Sequence, residues 1–427
     1  MVALRRWFER PVGGSWGDDA GAGEQDALCI RGTDLVFGEL EIDVESAPLR
    51  GFTNEDVRRR SLRNGDIVIE KSGGGSTQPV GRVGLYRRSV PAIPTNFAAR
   101  LRPRCHVDPR FACYQLASLY FAGRTMAAVK QTTGIQNLDL EELLTNRAWL
   151  PPIVAQRAIV GYLDAETTRI DALIAKKQQL IHLLEERRSS LTLAGVTGEL
   201  MHHGVVRDAG LEWAEGVPAH WDLALLRLVA RQGTGHTPSR SHPDWWISDE
   251  CVVPWVTTGE VQQVRSDRVR VIAETREKVS HIGIANSSAE IHPRGTVFLC
   301  RTASAGYSGI MDGAMATSQD FATWTCGELL DPDYLLFCLR AMRPDLLGRL
   351  ATGSTHKTIY MPDIQALKIP VPPIGEQREI SAFLKREVDR SFAVDDALTS
   401  QISLLVERRQ ALITSAVTGE FPVRGAA

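Results

Sequence analysis

The sequence predicts an α+β protein in which two globular blocks alternate with two long helices that pair as an antiparallel coiled coil. Three observations predict it. A 51-residue segment occurs twice, apolar residues inside it step by three and four, and the stretches between are rich in Gly, Pro and short apolar runs.

The repeat organises the chain. Residues 150–200 align with 371–421 at a constant offset of 221, without a gap, and 21 of 51 positions are identical. The identities include the paired prolines Pro151-Pro152 and Pro372-Pro373, Gln156-Arg157 and Gln377-Arg378, and a closing Val-Thr-Gly-Glu at 196–199 and 417–420. Chance does not produce this, so the chain is a tandem duplication with segments 1–149, 150–206, 207–370 and 371–427.

Each repeated segment reads as one helix. Proline is tolerated in a first turn, where its missing N–H has no partner to lose. Gly198 and Gly419 stand where a helix ends in the left-handed conformation. The apolar seam runs through Ile159, Leu163, Ile170, Leu173, Leu180, Leu184 and Leu191 in one copy. In the other it runs through Ile380, Leu384, Val394, Leu398, Leu405 and Leu412. That spacing is a coiled-coil seam. Charges interrupt it, and the polar positions common to both copies are the candidate partner-docking residues. These are Gln156, Arg157, Glu166, Arg169, Arg187 and Arg188, with Gln377, Arg378, Glu387, Arg390, Arg408 and Arg409.

The globular blocks read as short strands joined by irregular loops. Strands are expected at Gly65–Glu70, Val80–Leu85 and Thr296–Cys300, and helices near Phe111–Leu119 and Tyr334–Arg340.

Composition excludes several classes. The 427 residues carry 49 basic and 51 acidic side chains with 43% apolar residues, the profile of a folded protein. No run of about 18 apolar residues occurs, and the first residues lack a secretory apolar core, so a cytoplasmic protein is expected. The seven cysteines form no metal-ligand spacing, so no metal site is expected. No phosphate loop, dinucleotide fingerprint, zinc-protease helix or nucleophile elbow is present, so no catalysis by this chain is expected. The only clearly basic block is 50–149, with 16 basic and 8 acidic residues.

Two globular domains on a rigid ruler suit the reading of two short DNA sequences across a fixed gap. Here the chain resembles the specificity subunits of type I restriction–modification systems. The residues that carry the resemblance are the duplicated Pro-Pro-Ile-x-x-Gln-Arg and Glu-Arg-Arg…Val-Thr-Gly-Glu blocks. With them stand Gly235-His236-Thr237-Pro238-Ser239-Arg240 and Pro254-Trp255-Val256-Thr257-Thr258-Gly259-Glu260. The resemblance implies that 1–149 and 207–370 are target-recognition domains reading a bipartite double-stranded DNA target. It implies that 150–206 and 371–427 are conserved helical spacers docking two copies of an adenine-N6 methyltransferase subunit. A motor-nuclease subunit completes the implied assembly. S-adenosylmethionine, ATP and magnesium would then belong to the partners, and no cofactor to this chain.

Candidate DNA contacts follow from side-chain chemistry. Lys71, Ser72, Gly73, Arg82, Arg87 and Arg88 surround the glycine-rich run 72–76, which is either a surface loop or a backbone cradle for a phosphate. Gln136 and Asn137 either read adenine or cap the following helix. In the second domain Thr257, Thr258, Arg301, Thr302, Ser304, Ser354, Thr355, His356 and Lys357 concentrate small donors and cations. The rival reading is a coiled-coil structural adaptor without sequence preference. It accounts for the helices but not for two large domains whose sequences differ while their helices match.

Overall fold

The structure, a computed structural model, describes residues 1–36, 38–75, 78–131, 135–200, 205–353 and 357–423. It divides into two compact units, Met1–Gln179 with Thr399–Ala427, and Leu180–Leu398. Both repeated segments are continuous helices, Ile153–Val196 and Ile374–Thr418, and each gives one part of its length to each unit. Gly198 and Gly419 follow them at φ 82°, a conformation that a side chain disfavours.

In the first unit the start of the first long helix lies beside the end of the second. Ile159 and Leu163 share a core with Ile413, Ala416 and Val417, and with Trp7 and Phe111 of the globular block. Asp171 pairs with Arg409, and Lys177 Nζ donates to Gln401 Oε1 at 2.5 Å. Numbers rise along one helix as they fall along the other, so the packing is antiparallel. The second unit repeats it with the roles exchanged: Val196, Ile380, Leu384 and Val388 share a core with Trp221 and Trp324. There Arg188 donates to Ser391 at 2.9 Å and Asp395 at 2.7 Å.

The expected seam closes mostly toward the helix ends, with Leu398 as a buried exception near the middle of the second helix. Ile159, Leu163, Ile170, Ile380 and Leu384 are buried, whereas Leu173 and Leu180 are each 44% exposed. The ends have a globular block to pack against; the middle has only polar-interrupted helix, and Lys177 and Gln401 occupy positions that an apolar seam would fill.

The strands expected from sequence form as Ile67–Glu70, Val83–Leu85 and Val297–Cys300. In the first unit the main sheet runs Val12–Gly13, Ala98–Leu101, Ile67–Glu70, Val83–Leu85, Glu41–Ile42, Leu35–Val36. In the second it runs Ala230–Thr234, Phe321–Cys326, Val297–Cys300, Ser308–Met311, Val271–Ile272. The pairing senses agree link by link: three antiparallel, then one parallel. A second sheet also recurs. Gln25–Ile30 lies between parallel Ala92–Pro94 and antiparallel Leu49–Phe52, and Cys251–Val256 between parallel Ala316–Thr317 and antiparallel Lys278–Ser280. The two blocks therefore share one topology although their sequences differ.

Behind each main sheet lies one helix, Pro109–Phe121 or Pro332–Ala341, with proline in its first turn and an aspartate cap, Asp108 or Asp331. A buried glutamine ties each cap to a long helix. Gln156 Oε1 accepts from Asp108 N at 2.7 Å, and its Nε2 donates to His106 O at 3.1 Å and Pro151 O at 2.8 Å. Gln377 does the same with Asp331 N, Leu329 O and Pro372 O at 2.8, 2.9 and 2.8 Å. One ion pair at this junction is inverted. Arg110 Nε meets Asp164 at 3.0 Å, and at the corresponding positions Asp333 meets Lys385.

Candidate nucleic-acid interface

In each unit the loop after the buried central strand is clasped from two sides. In the first, Lys71 N donates to Phe97 O and Leu138 N donates to Lys71 O, both at 2.8 Å. In the second, Arg301 N donates to Asp320 O and Ile359 N to Arg301 O, again both at 2.8 Å. Ser72 forms a bridge with Asn137, and Thr302 with Thr358. Lys71 thus corresponds to Arg301 and Ser72 to Thr302, and each clasp carries one cation beside one hydroxyl. Gly73 and Ala303 follow at φ 112° and 57°.

A glycine holds the back of each clasp. Gly14 and Gly235 stand where a Cβ would meet the Pro94 oxygen at 1.9 Å and the Thr317 oxygen at 2.1 Å. The next residues close the approach: Ser15 N donates to Pro94 O at 2.9 Å and His236 N to Thr317 O at 3.0 Å. This close packing fixes Pro94-Thr95 and Thr317-Ser318, the chain that leads into the clasping carbonyls of Phe97 and Asp320.

The sequence candidates separate on this geometry. Lys71 and Ser72 are partly exposed and Gly73 exposed; the Ser72 hydroxyl donates to Asn137, which is exposed. Arg87 is half-exposed beside Glu41 at 3.4 Å, and Arg88 is exposed. Arg82 is corrected: its guanidinium grips Glu70 at 3.0 Å and 3.1 Å and donates to Gly32 O at 2.9 Å, with only 13% of the side chain exposed. Gln136 is corrected as well. It is 4% exposed, and its Oε1 accepts from Val80 N at 3.2 Å, so it braces the loop from inside. Neither Gln136 nor Asn137 caps the next helix, because Asp139 accepts from Glu141 N and Glu142 N at 3.0 and 3.1 Å.

In the second unit Arg301 Nε donates to Gln319 O at 2.9 Å, and the Thr302 hydroxyl to Asp320. Ser304 is half-buried, and Lys357 is exposed with Nζ 3.1 Å from Leu347 O. Thr257 and Thr258 are half-buried; the Thr257 carbonyl closes a turn onto Glu260 N at 2.9 Å. Ser354, Thr355 and His356 lie outside the described residues. Burial pushes the Cys300 thiol, next to Arg301, up to about 12, so it stays a neutral core group. Sequence reasoning missed the turns Thr95–Phe97 and Ser318–Asp320, whose exposed amides Asn96 and Gln319 adjoin the clasps. The sequence marks only the glycines beneath them, since Gly14 and Gly235 stand 221 residues apart, the offset of the repeat.

On the long helices Arg157, Arg169, Arg187, Arg378, Arg390 and Arg408 are exposed, and Glu166 and Glu387 are partly so. Four docking candidates are corrected. Gln156 and Gln377 are fully buried and spend their amides on the globular block and on the proline carbonyl that opens their own helix. Arg188 pairs with Asp395 and stacks 4.3 Å over Phe392, and Arg409, 4% exposed, pairs with Asp171. The two arginines hold helix to helix, and the two glutamines hold helix to globular block.

Residues 229–403 match the type I restriction modification DNA specificity domain. The chain is 23% identical over 169 residues to the type I restriction enzyme MjaIX specificity subunit of Methanocaldococcus jannaschii, covering 39% of this chain and 38% of that one. It is 21% identical to the EcoKI specificity subunit of Escherichia coli over 91% of its own length and 79% of the relative's. The StySPI specificity subunit of Salmonella potsdam matches at 20% identity over 91% and 78%. Among solved structures, a chain from a study of complex assembly and conformational transition of the type I R-M system superposes with a TM-score of 0.69 at 17% identity, covering 98% of this chain and 97% of that one. The HsdS subunit from Thermoanaerobacter tengcongensis gives 0.57, also at 17% identity, covering 98% and 96%.

Proposed function

We propose that this chain, which belongs to the specificity subunits of type I restriction–modification systems, reads a bipartite double-stranded DNA target, one half with each globular domain. The observation that carries this reading is the clasp found once in each unit, a cation and a hydroxyl on a braced loop: Lys71 with Ser72, and Arg301 with Thr302. The cation fixes the backbone and neighbouring polar groups meet base edges.

On this reading the chain supplies recognition and does no chemistry. The exposed charges of the long helices, Arg157, Arg169, Arg187, Arg378, Arg390 and Arg408, dock two copies of an adenine-N6 methyltransferase subunit, and a motor-nuclease subunit joins them. S-adenosylmethionine, ATP and magnesium enter with those partners, and the assembly works in the cytoplasm. The helices set the unread gap between half-sites. The adaptor reading has no use for two braced, cation-bearing loops.

Two changes test the proposal. Arg301→Ala should weaken binding of the target at fixed salt, uniformly across sequences and with a salt slope smaller by about 1 if the cation holds a phosphate, or by about 1–3 kcal/mol with relaxed specificity if it meets a base. Inserting four residues within 173–187 should change the gap and leave both half-site sequences alone. Unchanged affinity in the first case removes Arg301 from the interface; an altered half-site sequence in the second means that the helices take part in reading.

A further inference from the structure

Beside each clasp lies a three-residue turn. The turns correspond because Ala98 pairs with Glu70 as Phe321 pairs with Cys300. Each is closed by its own hydrogen bond, Ala98 N to Thr95 O at 2.9 Å and Phe321 N to Ser318 O at 3.3 Å. Thr95-Asn96-Phe97 therefore matches Ser318-Gln319-Asp320. The first residue of each is a buried hydroxyl, at 1% and 3% exposure, and the third differs in chemistry. The middle residue of each is an exposed carboxamide.

The amides are left available. Asn96 makes no side-chain hydrogen bond among the described residues. Gln319 Oε1 accepts from Thr237 Oγ1 at 2.6 Å, which orients the amide and leaves its NH2 and a lone pair unused among the described residues. Beneath each turn the backbone is fixed by the close approach of Gly14 or Gly235, and Lys71 or Arg301 bonds the turn through its own N–H.

We infer that Asn96 and Gln319 are adenine readers, one for each half of the target. The inference rests on the DNA-reading function proposed above and adds residues and a base to it. A carboxamide matches the major-groove edge of adenine in both bonds, its oxygen accepting from N6 and its NH2 donating to N7. A neighbouring cation holds the phosphate backbone while the rigid turn carries the amide to the base. The side chains differ by one methylene, so the two domains reach different depths.

The test uses the full chain with its methyltransferase partner. N6-methyladenine sequencing of the host genome is read for wild type, Asn96→Ala and Gln319→Ala. Asn96→Ala should relax one A·T pair in one half-site, and Gln319→Ala one A·T pair in the other. The purified complex is then bound to the wild-type motif carrying 7-deazaadenine at the relaxed pair, or at each adenine in turn if a variant loses methylation altogether. Wild-type affinity should fall by about 5- to 150-fold at one position, and the matching variant should be indifferent there. An unaltered motif in both folded variants, or equal sensitivity of wild type and variant to 7-deazaadenine, overturns the inference. A wild-type chain that yields no bipartite motif overturns the underlying DNA-reading function instead.

Discussion

Replacing Gln156 by leucine should loosen the first globular domain from its long helix while leaving the second domain untouched. The side chain is fully buried and makes three bonds, to Asp108 N, His106 O and Pro151 O. Leucine nearly conserves volume, so little cavity term arises. The Pro151 carbonyl is buried and loses this partner outright, at about 1–3 kcal/mol; the other two groups are partly exposed and recover water, at about 0.5–1 kcal/mol each. The total is about 2–4 kcal/mol after the gain from burying leucine. Hydrogen exchange measured by mass spectrometry should show protection in 106–116 falling by about 30- to 700-fold, with 329–339 unchanged. Gln377→Leu should give the mirror result. Gln156→Glu should be at least as damaging as leucine, since the buried carboxylate still accepts from Asp108 N but faces two carbonyl oxygens with no proton to donate. Unchanged protection in 106–116, or equal loss in both regions, would refute the clamp.

Two further predictions concern charge. Arg110→Asp should destabilise the first unit by about 2–4 kcal/mol, because it places a carboxylate beside Asp164 and Glu41. Adding Asp164→Lys recreates the polarity of Asp333 with Lys385 and should recover part of the loss in thermal unfolding; a double variant no better than the single contradicts the equivalence. His292 is buried, and burial holds its imidazole below its ordinary value. The unfolded chain then binds the extra proton first, so this contribution is complete above about pH 6.5 and is lost as pH falls below it. Denaturant midpoints between pH 5 and 7.5 should drop on the acid side, and His292→Gln should flatten that slope; an equal slope in both proteins assigns it elsewhere.

The helices were legible because their signals are local and repeated: proline pairs at the start, glycine at the end, and an apolar step between. The helices behind the sheets were also visible, each opened by Asp-Pro. The common topology of the globular blocks was not. Ile67–Glu70 and Val297–Cys300 share only an apolar run, and corresponding residues stand at offsets of 221, 223 and 230 because the loops differ in length. Arg82 read as a free cation because its partner Glu70 is brought beside it only by strand register. The amides Asn96 and Gln319 carried no signal of their own, and became visible only when the two clasps were laid residue against residue.

The central claim is that this chain chooses the DNA sequence. Single-molecule sequencing of N6-methyladenine in the host, with and without the gene, tests it most directly. One bipartite methylated motif should vanish on deletion and return on complementation. A methylome unchanged by deletion, in cells where the chain is made and bound to its methyltransferase, would contradict it.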